Sequence, residues 1–100
     1  MDKRIAQFLG LCQRAGKLSS GETGALSAIK DGSAELVIVA ENASDNTKKR
    51  FSDSTRFYNK KMMVFGDKYE MGRAIGKDER AVVAVRDKGF AEKIEKMIAE

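Results

Sequence analysis

Apolar positions along the chain follow two periods, and the switches between them divide it into alternating helices and strands. Ile5, Phe8, Leu9 and Cys12 recur at i, i+3, i+4 and i+7, which predicts an amphipathic helix over about Asp2–Arg14 with Gly16 as its stop. Lys17–Ser19 can add a short strand. Ser19 and Glu22 stand three apart in the manner of a capping box, opening a second helix. That helix runs to about Asp31, buries Ala25, Leu26, Ala28 and Ile29, and puts Gly32 at its C′ position. Glu35–Ala40 is a continuous, β-branched apolar run, the pattern of a strand covered on both faces. Ser44 or Asp45 caps a third helix reaching about Arg56. Lys61–Phe65 reads as a strand, Asp67–Ile75 as a short helix ended by Gly76, and Ala81–Val85 as another strand. Lys88–Ala99 closes the chain as a helix with Phe90, Ile94, Met97 and Ile98 on one face.

Strands alternating with helices, each strand hydrophobic throughout, predict the α/β class. The expected architecture is a three-layer α/β/α sandwich around a central mixed sheet of about four strands. One hundred residues suffice for a single domain spanning 1–100, with no linker, repeat or low-complexity stretch. Proline is absent, so glycines and capping residues must punctuate the chain.

Composition narrows the chemistry. There is no histidine and one cysteine, Cys12, which excludes Ser-His-Asp and Cys-His triads, an internal disulfide and a multi-cysteine zinc site. Cys12 lies on the apolar stripe of its helix and is expected to be an inert core residue. No apolar run approaches the ~18–20 residues a bilayer crossing needs. The opening Met1-Asp2-Lys3-Arg4 leads into the first helix without the apolar core of a secretory signal, so a cytoplasmic location is expected.

Nineteen Lys and Arg against fifteen Asp and Glu leave +4, a mild lean toward anionic partners. Between Lys48 and Lys61 stand Lys48, Lys49, Arg50, Arg56, Lys60 and Lys61 with one acid, Asp53, so the entire positive excess resides there. Such a run is ordinarily a solvated helix face; its sharper reading is a phosphate-contacting patch. Phe51, Phe57 and Tyr58 are interleaved with it at spacings that suggest core anchors.

Catalytic and cofactor patterns fail. Gly10–Leu18 resembles a phosphate loop, but five residues separate Gly10 from Gly16, Lys17 is followed by Leu18, and the segment is helical. Asp78-Glu79 is an adjacent pair in a loop, poorly placed to aim two carboxylates at one bond. Asp45, Asp53 and Asp67 lack metal-loop spacing. No metal, cofactor or enzymatic activity is expected. An enzyme using Lys17 and Asp45 in a cleft lacks a base tuned near neutrality.

Four stretches occur together in one order: Arg14-Ala-Gly-Lys-Leu-Ser-Ser-Gly21, Ala28 through Ala40, Glu41-Asn-Ala-Ser-Asp-Asn-Thr47 and Met71-Gly-Arg-Ala-Ile-Gly-Lys77. In this the chain resembles the ribosomal L7Ae family, most closely its small bacterial YlxQ-like branch, over essentially its whole length. The resemblance implies the same sandwich and a non-catalytic, ribosome-associated RNA-binding role. Kink-turn RNA is the family's usual target, gripped by the start of the second helix at tandem sheared G·A pairs and by the loop before the last strand.

By position, the resemblance puts the first contact region on Lys17, Ser20, Gly21, Glu22, Thr23, Gly24 and Ser27. The second falls on Asn42, Ala43 and Ser44, with Thr47 and Lys48 beyond, and the third on the Gly76–Arg80 loop with Lys77 and Arg80. Strong binders of the family carry a polar pair and a lysine where this chain has Thr23, Gly24 and Ser27. Glu22 and Thr23 are then the groups left to read base edges, while Lys17, Lys48, Lys77 and Arg80 attract phosphate. The implied partner is kink-turn or ribosomal RNA, bound by a monomer with no membrane association. The alternative is a protein-interaction module that kept the fold and lost the RNA site.

Overall fold

Each β-branched run forms a strand of one sheet, and the amphipathic segments cover its two faces. The computed structural model describes all residues, Met1–Glu100. Its elements are α1 (Lys3–Arg14), β1 (Leu18–Ser20), α2 (Gly21–Lys30), β2 (Leu36–Val39), α3 (Asp45–Phe57), β3 (Met62–Val64), α4 (Lys68–Ala74), β4 (Val82–Val85) and α5 (Lys88–Ala99). The sheet order is β1-β4-β2-β3, with β4 antiparallel to both β1 and β2, and β3 parallel to β2. Helices α2 and α3 pack on one face, and α1, α4 and α5 stack together on the other. This is the expected three-layer sandwich with a mixed four-stranded sheet.

Strands β2 and β4 are buried along their whole length, which is why their sequences are continuous rather than alternating. Leu36, Val37, Ile38, Val39, Val82, Val83 and Val85 join Leu9, Ile29, Phe51, Met71 and Ile94 in one core. Each such side chain contributes on the order of 1.5–3 kcal/mol by leaving water, so the centre of the sheet is the rigid reference for the loops at its ends. Cys12 is fully buried in that core, and desolvation pushes its thiol up to about 11.

Two expectations need correcting. Strand β1 extends through Ser20, with Ser19 paired to Ala84, so Ser19 is inside a ladder and Ser20, not Ser19, is the N-cap of α2. Phe51 is fully buried, but Phe57 is 81% exposed and Tyr58 38%. Phe57 follows Phe51 by six residues, which at ~100° per residue turns it well away from the core face. Tyr58 keeps the face but sits past the last turn of α3, where the core ends.

The register determines where the connections meet. Because β4 runs against both neighbours, its first residues lie beside their last: Val83 pairs with Ser20 and Val82 with Val39. The β1–α2 turn, the β2–α3 turn and the loop entering β4 therefore converge at one edge of the sandwich.

Candidate nucleic-acid interface

At that edge lies a groove of about 480 Å³, lined by Ser20, Gly21, Glu22, Thr23, Gly24, Ala43, Ser44, Thr47, Lys68, Glu79, Arg80 and Ala81. Its floor is the start of α2. Four of the five helices have a side-chain N-cap: Asp2 accepts from the Arg4 amide, Ser44 from Thr47, Asp67 from Tyr69 and Glu70, and Asp87 from Phe90. The α2 N-cap, Ser20, accepts no such bond. First-turn amides that have no carbonyl within the helix, together with the positive dipole end, suit an incoming anion or base acceptor. Gly21 makes the turn with φ +83, a conformation costly for any residue with a Cβ.

One wall comes from α3. Ser44 caps that helix at its own N-terminus and donates its hydroxyl to Thr47 Oγ1 at 2.9 Å; Thr47 in turn donates to Glu22 Oε2 at 3.2 Å. The Arg50 guanidinium reaches the other Glu22 oxygen at 3.5 Å. Glu22 is thus committed to joining α2 and α3, and Thr23, which is exposed, is the free side chain at the helix start. The pair expected to read base edges is therefore divided.

The opposite wall is the loop before β4, and α4 fixes it in place. Gly72 allows the loop backbone to lie against the helix: a Cβ there would stand 2.0 Å from the Asp78 carbonyl oxygen. The amide of Lys77 donates to the Gly72 carbonyl at 2.8 Å and that of Arg80 to the Lys68 carbonyl at 2.9 Å. Arg80 then turns over the groove, donating to Ser20 Oγ at 3.3 Å and to the Glu79 carbonyl at 2.9 Å. Both acids of the groove have cationic neighbours, Glu22 beside Arg50 and Glu79 with Lys68 at 4.0 Å. Arg80 contacts only a hydroxyl and carbonyls, so its charge stays available to an anion.

Of the residues expected at the interface, Ser20, Gly21, Glu22, Thr23, Gly24, Ala43, Ser44, Thr47 and Arg80 meet in this groove, with Glu79 of the Gly76–Arg80 loop. The others lie outside its lining. Lys17 precedes β1 at the far end of that strand, roughly 10 Å from Ser20 at ~3.3 Å per residue; its carbonyl pairs with the Arg86 amide. Ser27 faces a neighbouring channel between α2 and α3. Asn42 braces the loop against α4, donating to Asp67 at 3.0 Å and accepting from the Lys68 amide at 2.9 Å. Lys48 is half-buried on α3, and Lys77 is exposed at the tip of its loop. Sequence reasoning missed Lys68 and Ala81, which enter the groove only through the α4–loop packing. No three cysteine or carboxylate side chains converge as a metal site would require.

The description "Ribosomal protein L7Ae/L30e/S12e/Gadd45 family" belongs to a family model that matches residues 3–95 of the chain. The chain belongs to this family. Two relatives share the name "RNA-binding protein YlxQ". The one from Bacillus subtilis (strain 168) is 41% identical over 87 residues, covering 87% of each chain. The one from Enterococcus faecium is 35% identical over 96 residues, covering 96% of this chain and 92% of its own. Among solved structures, a Bacillus halodurans protein of unknown function superposes with a TM-score of 0.93 at 37% identity, over 99% of this chain and 100% of that one. A Giardia lamblia 15.5 kDa RNA-binding protein gives 0.77 at 21% identity, over 99% and 92%, a likeness of fold alone. No helix is long and apolar enough to cross a membrane.

Proposed function

We propose that this chain is a non-catalytic, ribosome-associated RNA-binding protein of the cytoplasm. It acts as a monomer and takes kink-turn or similarly bent structured RNA against the start of α2 and the loop before β4. The observation that carries this reading is the α2 N-terminus, uncapped by any side chain and opening into a groove with Arg80 poised over it. A-form RNA closes its major groove to proteins, and a kink opens it. The helix-start amides and the small residues Ser20, Gly21, Thr23 and Gly24 suit a closely approaching backbone, while Arg80 and the helix dipole supply attraction to phosphate. The YlxQ relatives bear the name of RNA-binding proteins and match along nearly the whole chain.

The test is fluorescence anisotropy with a kink-turn duplex and with the same duplex lacking its tandem G·A pairs. The reading expects at least tenfold tighter binding to the kinked form, and for both an affinity that falls as salt rises. Equal affinities refute kink-turn specificity. Absence of salt-dependent binding to either refutes RNA binding and favours a protein-interaction module on this fold.

A further inference from the structure

A shallow channel leaves the groove at Thr23, which lines both, and runs between α2 and α3 past Leu26, Ser27, Lys30 and Arg50, with Asp31 as its one acid. Both helices begin at the groove edge, because each follows a strand that ends there, so the channel leads toward their C-terminal ends. On α3, Lys49, Arg50, Asp53, Arg56 and Phe57 share one outward stripe at helical spacing. The ion pairs within it are loose and solvated: Lys49–Asp53 at 3.1 Å with both partners more than half exposed, and Arg50–Glu22 at 3.5 Å. A phosphate can compete with Asp53 for Lys49 at little cost. Arg56 is exposed and makes no ion pair.

At the end of this basic stripe stands Phe57, 81% exposed, with Tyr58 edge-on behind it at a centroid distance of 4.9 Å. An exposed aromatic ring beside unpaired positive charge is the combination that stacks nucleobases on single-stranded nucleic acid. Fold stability does not require Phe57 there, since so exposed a ring contributes little burial. We propose that the α2–α3 channel carries a single-stranded continuation of the bound RNA away from the primary groove, and that Phe57, backed by Tyr58, stacks on one of its bases. This rests on the RNA-binding reading above and adds a second contact at the opposite end of α3. Thirteen residues of helix at ~1.5 Å each separate the two by roughly 20 Å, beyond the reach of a two-nucleotide extension.

The experiment compares a kink-turn duplex that ends flush with versions carrying a 5′ or 3′ oligo-uridine extension of two, four or eight nucleotides. The expected result is that one polarity, at four nucleotides or more, binds about tenfold tighter than the flush duplex. The flush duplex and the two-nucleotide extension should bind alike. Phe57→Ala and Phe57→Leu are expected to abolish the gain and leave flush-duplex affinity and thermal midpoint unchanged, while Phe57→Trp retains it. An extension that adds nothing in either polarity overturns the proposal, as does a gain that survives Phe57→Ala or is kept in full by Phe57→Leu. If the flush duplex itself fails to bind, it is the primary groove reading that has failed.

Discussion

Gly72→Ala tests whether the loop before β4 is held against α4 by close backbone contact. The added methyl would stand 2.0 Å from the Asp78 oxygen, 2.6 Å from its carbonyl carbon and 3.0 Å from Glu79 Cα. Comfortable separations begin at roughly 3.5 Å, so the loop backbone must withdraw by more than about 1 Å. The bonds that hold it there, Lys77 N–H to the Gly72 carbonyl and Arg80 N–H to the Lys68 carbonyl, stretch or break at about 1 kcal/mol each. Overpacking costs a further ~1–3 kcal/mol, and the better helix propensity of alanine returns about 1 kcal/mol. The net loss is then ~2–4 kcal/mol, which lowers a urea midpoint by on the order of 1–2 M. Because the loop delivers Arg80 to the groove, affinity for a kink-turn duplex should fall severalfold under conditions where the variant is still folded. A wild-type midpoint with wild-type affinity would refute the clamp.

Other substitutions separate the parts of the site. Gly24→Ala adds a Cβ whose nearest neighbour is Ser19 Cβ at 3.7 Å, an ordinary contact. It should stabilise the fold by up to ~1 kcal/mol in a thermal melt and yet weaken RNA binding severalfold in anisotropy, because a methyl now lines the groove floor; weakened binding and stability together would point to misfolding instead. Replacing Lys77 and Arg80 by alanine should lower affinity across RNA sequences and flatten the salt dependence of log K by at most about two, whereas Thr23→Ala should mainly reduce discrimination for the G·A pairs. Similar behaviour of all these variants would contradict the division between phosphate and base contacts. Cys12, with its thiol raised from an ordinary 9.0 to about 11, should hold about a hundredfold less thiolate at pH 8 than a free cysteine. Its labelling by a thiol reagent should therefore be slow until urea unfolds the chain; rapid labelling of the native protein would show that the core around α1 opens.

The layers of the fold are legible because burial leaves a pattern that survives without tertiary knowledge. Leu36–Val39 and Val82–Val85 announce themselves as doubly covered strands, and Ile5, Leu9 and Cys12 as one helical stripe. The site is legible only in part. Gly21 and its neighbours stand out because a left-handed turn before a helix favours glycine. By contrast, Glu22 looks like half of a capping box until the fold brings Thr47 and Arg50, 25 and 28 residues away, to its carboxylate. Lys68 enters the groove through a loop whose position depends on Gly72, and no local pattern carries that information. Phe57 misleads for a simpler reason: aromatic residues near Phe51 look like core until their angle around the helix is counted.

The most direct test of the central claim is a ¹⁵N-HSQC titration of the protein with a kink-turn RNA. The amides of Gly21, Glu22, Thr23 and Gly24 should show the largest shifts, accompanied by those of residues 77–81, while the amides of α1 and α5 stay still. Binding that leaves residues 21–24 unperturbed and moves the α1–α5 face instead would contradict the account.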